Sequence, residues 1–75
     1  MARPPADKII DARDMEPPEP FVQTMDALDP KITLLLILTR EPYPLYQALK
    51  KNGYDYQVDI TKHGTVEILI WYKQF

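Results

Sequence analysis

A chain of 75 residues with no cysteine, 45% hydrophobic and 27% charged, has the composition of one small globular domain that must hold a single core without disulfide staples. The missing thiol excludes cysteine nucleophiles, persulfide carriage, CxxC redox exchange and cysteine-ligated zinc or iron–sulfur centres. A net charge of −2 disfavours a nucleic-acid partner, although the sign is uneven: residues 1–30 carry three basic and seven acidic side chains, residues 31–75 six and four.

In chain order, residues 1–7, with two prolines and nothing to bury, read as a flexible tail, and residues 8–75 as the single domain. "KIIDA" (8–12) is a short apolar run suited to a strand. "DARDMEPPEPFV" then crowds three prolines and four acids around the start of a helix over about 18–29. Phe21, Val22, Met25 and Leu28 form its apolar stripe, leaving Gln23, Thr24 and Asp26 to solvent. Proline is tolerated in a first turn, where its missing N–H would have had no partner, and acids there suit the helix dipole. Asp29-Pro30 closes the helix.

"ITLLLILT" (32–39) is apolar on both alternating faces and reads as a central strand. "REPYPLYQALKKNG" repeats the proline-led entrance, places Leu45, Ala48 and Leu49 on one helical face, and stops at Asn52-Gly53. "YDYQVDIT" and "TVEILIWYK" alternate as two strands joined by a turn at "KHG" (62–64). The expected class is α/β, more narrowly an α+β two-layer sandwich. Its order is strand-helix-strand-helix-strand-strand, and right-handed crossovers put both helices on one face of a mixed four-stranded sheet.

The same "DARDMEPPEPFV", set in this element order, resembles the TusA/SirA-like proteins, small sulfur-relay domains whose hallmark is a Cys-Pro-x-Pro segment opening the first helix. The matching positions are Pro17, Pro18, Glu19 and Pro20, so proline stands where those relatives have cysteine. The likeness spans about residues 8–72. "REPYPLYQALKKNGYDYQVD" is similar to the cysteine-free, uncharacterised branch of that superfamily, a domain-of-unknown-function family. The resemblance implies the two-layer fold and a pre-shaped helix entrance; sulfur transfer is not carried over, since proline supplies no thiolate.

Two surfaces are candidate partner sites. The first is the helix entrance: Arg13, Asp14, Glu16, Pro17, Pro18, Glu19 and Pro20, with Arg40 beside it at the end of the second strand, where open sheets tend to bind ligands. Its acids offer an acidic docking surface or a weak cation site, or merely a solvated helix start; without Asp-rich loop spacing no metal is expected. Arg40 could hold a small anion or a partner's carboxylate, or pair with Glu41.

The second surface is the sheet face away from the helices, where alternation places Leu35, Ile37, Leu69 and Trp71 together. Such a patch suggests self-association or another protein partner, unless the tail and the terminal "KQF" fold back over it.

His63 is the only histidine and there is no serine, so neither a triad nor a histidine metal site is expected, nor any catalytic residue or cofactor. The longest apolar run is far short of the roughly 20 residues that span a bilayer, and "MARPPADK" has no signal-like apolar segment. The expectation is a cytoplasmic, non-enzymatic binding or adaptor module. An accessory role in a sulfur or redox relay is the alternative, and RNA binding ranks last, because Asp55 and Asp59 lie where a basic sheet face would be needed.

Overall fold

The computed structural model describes residues 6–73 and contains β1 (Lys8–Asp11), α1 (Glu19–Ala27), β2 (Leu34–Leu38), α2 (Tyr43–Lys51), β3 (Tyr54–Ile60) and β4 (Val66–Tyr72). The strands form one sheet in the order β1-β2-β4-β3, with β1 parallel to β2 and β4 antiparallel to both β2 and β3. Both crossovers, β1-α1-β2 and β2-α2-β3, advance across the sheet in the same direction. Their common right hand therefore stacks both helices on one face, and the expected two-layer architecture is what forms.

The core lies between these layers. Leu34, Leu36 and Leu38 of β2, Val66, Ile68 and Ile70 of β4 and Ile10 of β1 meet Leu45 and Leu49 of α2. Every residue of β2 is buried, which fits the central position its sequence suggested. Leu45 and Leu49 are also buried as their spacing required, and Gly53 ends α2 with a φ of +86°, a conformation that side chains with a Cβ rarely adopt. A Cβ there would also meet Tyr72 at 3.2 Å.

Helix α1 departs from its apolar stripe. It spans Glu19–Ala27 rather than 18–29; Leu28 is already extended, and an Asx turn follows in which Asp29 Oδ1 accepts the Lys31 amide at 2.9 Å. Its inward face is also rotated. Thr24, expected in solvent, is fully buried, whereas Phe21 and Val22 are 37% and 50% exposed. Met25 and Leu28 do pack on the core as half-buried side chains. Pro20, Thr24 and Ala27, spaced i, i+4, i+7, form a row turned away from solvent. Phe21 is thereby released to the helix entrance.

Asp7, placed in the tail by composition, is held against the start of β2. Asp7 and Thr33 are tied by two hydrogen bonds, the Asp7 amide donating to the Thr33 carbonyl at 2.8 Å and the Thr33 amide to Asp7 Oδ2 at 2.8 Å. Residues 1–5 and the last two residues of "KQF" lie outside the described residues, and so does their expected role in covering the sheet.

The Thr24 hydroxyl is buried with no hydrogen-bond partner. An orphaned buried hydroxyl weakens a fold by about 1 kcal/mol or more, so Thr24→Val, which keeps the shape and removes the polar atom, should raise stability by about 1 kcal/mol. The gain should appear as a higher urea midpoint at unchanged slope.

Candidate functional site

Parallel pairing of β1 and β2 brings their carboxyl ends to the same edge of the sheet, and each chain segment leaving that edge turns into a helix led by proline. The two entrances match position for position. Pro18, Glu19 and Pro20 take the cap, first and second positions of α1; Pro42, Tyr43 and Pro44 take the same positions of α2. Neither cap makes a side-chain hydrogen bond.

Between them lies a cleft of about 580 Å³, within the range of ligand-binding pockets. Pro17, Pro18, Pro20, Pro42 and Pro44 all line it, five of the chain's eight prolines. Its apolar wall comes from Ala12, Met15, Phe21, Leu38 and Leu45, and its polar groups are Glu16, Thr39, Arg40 and Glu41. Burial of Ala12 is fixed by its amide, which donates to the Ile37 carbonyl at 2.8 Å and so continues the sheet into the cleft wall.

Of the residues expected at the entrance, Glu16, Pro17, Pro18, Pro20 and Arg40 converge on this cleft. Arg13, Asp14 and Glu19 do not line it. Arg13 turns back instead onto Asp11 in a two-point contact, Nε–Oδ1 at 2.8 Å and Nη2–Oδ2 at 2.6 Å. That bond, with lesser contributions from Asp14 and Glu67, holds its ionisation above the ordinary arginine value. Pro17, at the position where the resemblance has cysteine, stands in the cleft wall.

Glu41 is the polar group that sequence reading missed. It is not paired with Arg40; Tyr43 Oη donates to Glu41 Oε2 at 3.2 Å and Tyr46 Oη to Oε1 at 2.9 Å. Tyr46 is stacked on Tyr56 of β3, ring centroids 4.6 Å apart, and Lys50 lies 5.4 Å above that ring while bonding Asp55 at 2.8 Å. The carboxylate at the cleft is therefore anchored, through tyrosines, to the outer edge of the sheet. A Glu-Pro-Tyr-Pro-x-Tyr spacing puts both phenols on the first turns of one helix, and this was the available signal.

The sheet's other face is less open than alternation implied. Leu35 and Ile37 are only 2% and 4% exposed, and Leu69 and Trp71 are half-buried, so the four do not form the expected exposed patch. In register Leu35 sits between Ile9 and Leu69, and Ile37 between Asp11 and Glu67. Ile9, at 54% exposure, is the open apolar residue of β1, and Asp11, Glu67 and Asp59 make an acidic row across the sheet.

Among the described residues no group of three or more His, Cys, Asp or Glu could hold a metal ion, and no helix is long and apolar enough to cross a membrane. His63 is exposed in the β3–β4 turn.

Burial first, then the hydrogen bond to Glu41, raises the Tyr46 phenol well above its ordinary value of 10.0, and Glu41 raises Tyr43 likewise. Folding thus favours the protonated phenols. Their contribution is complete below pH 10 and is lost as pH rises beyond it. In an ultraviolet alkaline titration both should ionise later than free tyrosine. Glu41→Gln should move them back toward 10, and Tyr46→Phe should remove the latest step.

A crystal structure of a SirA-like protein from Desulfitobacterium hafniense is similar to this chain, with a TM-score of 0.75 at 19% identity over 84% of this chain and 93% of that one. At that identity the likeness shows the fold. No curated protein matches. The sequence profile of the uncharacterized conserved protein family DUF2249 matches residues 9–72, and the chain belongs to that family.

Proposed function

We propose that the protein is a non-enzymatic binding or adaptor module that holds a segment of another protein in the cleft between its two helix entrances. The observation that carries this reading is the convergence of five prolines from two distant segments on one apolar cleft. Proline fixes φ, so these walls lose little freedom on binding, and a preformed site avoids much of the ordering penalty of association. Pro17 stands in the cleft wall where the resemblance would place a cysteine, so thiol chemistry has no counterpart at that position.

The acidic row on the opposite sheet face supports a protein partner over a nucleic acid, whose backbone needs positive charge. Burial of Leu35 and Ile37 likewise favours the cleft over the sheet face as the principal surface.

The test is site-specific photo-crosslinking in cells that produce the chain. A photoreactive residue replacing Phe21, on the cleft wall, should trap a discrete protein partner. The same residue replacing Lys51, at the far end of α2, should not. Equal trapping at both positions, or none at Phe21, would remove the cleft as the docking place.

A further inference from the structure

The chemistry of the cleft also selects its guest. We infer that the cleft is built for a basic, amphipathic segment of a partner protein, one presenting lysine or arginine between apolar side chains; this rests on the reading of the cleft as a docking place.

A helix N-terminus ordinarily attracts anions through the free N–H groups of its first turn. Here most of those donors are missing or spent, leaving the Phe21 and Tyr43 amides among the cap and first three positions of the two helices. Pro18, Pro20, Pro42 and Pro44 have no N–H at all. The Glu19 amide is spent on the Glu16 carbonyl at 2.9 Å, and the Leu45 amide on the Pro42 carbonyl at 2.9 Å. Acceptors dominate what is left. Two carboxylates, Glu16 and Glu41, line the cleft with one guanidinium, Arg40. Glu41 is held in place by its two phenols, and Asp14 and Glu19 extend the acidity along the same segment. A donor-poor, acceptor-rich and net-acidic mouth over an apolar floor is complementary to a guest that brings its own cationic donors and apolar side chains. Arg40 then opposes such a guest and limits its affinity.

The experiment titrates the isotope-labelled full chain with two end-blocked hexapeptides, one alternating leucine and arginine, the other leucine and glutamate, following amide shifts by NMR. The leucine–arginine peptide should shift the amides of Met15, Phe21, Arg40 and Leu45. Its affinity should fall about tenfold in the Glu16→Gln/Glu41→Gln double variant, as two partly exposed charge pairs are lost, and rise in Arg40→Ala. Two outcomes overturn the inference while leaving the docking site standing: cleft shifts with the leucine–glutamate peptide that vanish in Arg40→Ala, or leucine–arginine binding at the cleft that is unchanged in the double variant. Shifts confined to Asp11, Asp59 and Glu67 would mean attraction to net charge and would overturn it as well. If neither peptide moves a cleft amide, both the inference and the docking site fall.

Discussion

Everything in this small fold is referred to β2, five consecutive aliphatic residues buried on both faces. A strand in that state must have a neighbour on each side, and the two it acquires, β1 and β4, come from opposite ends of the described chain. With both flanks filled, the sheet's centre is dry. Its one helical layer needs only two short helices to complete a core in a domain without disulfides. Parallel pairing on one side and antiparallel pairing on the other also decides where the chain emerges, and so where a cleft can form.

The two helix entrances show how a local rule becomes a site. Proline at the start of a helix is ordinarily a neutral choice, because the missing donor had no partner. Two such starts side by side give it a collective effect: they shape the wall, thin out its backbone donors and leave its polarity to a few side chains. The phenol-held Glu41 extends this arrangement away from the entrance. Its position depends on Tyr46 stacking against β3, so the outer edge of the sheet and the mouth of the cleft are mechanically one unit.

Much of this was legible in the residues. The double-faced "LLLIL", the alternation of the last two strands and the Asn-Gly stop each follow from one period or one backbone preference, and each appears in the fold. The inward face of α1 was not legible. Hydrophobicity pointed to Phe21 and Val22, but the helix is rotated so that both are exposed and Thr24 is taken inside without a partner for its hydroxyl. The placement of Arg40 beside the first entrance could be anticipated from strand polarity. The fate of Arg13, folded back on Asp11, and the anchoring of Glu41 by residues two and five positions later depend on rotamers that a linear pattern does not encode.

The sheet order also bears on how the protein is made. Among the described strands only β3 and β4 pair through a direct turn. β2 leaves the ribosome well before β4, and until β4 follows, one whole flank of the most aliphatic segment in the chain has no strand to meet. Nascent Leu34–Leu38 is therefore the aliphatic stretch that waits longest for its partner, and unpaired strand edges of that kind are where mispairing starts.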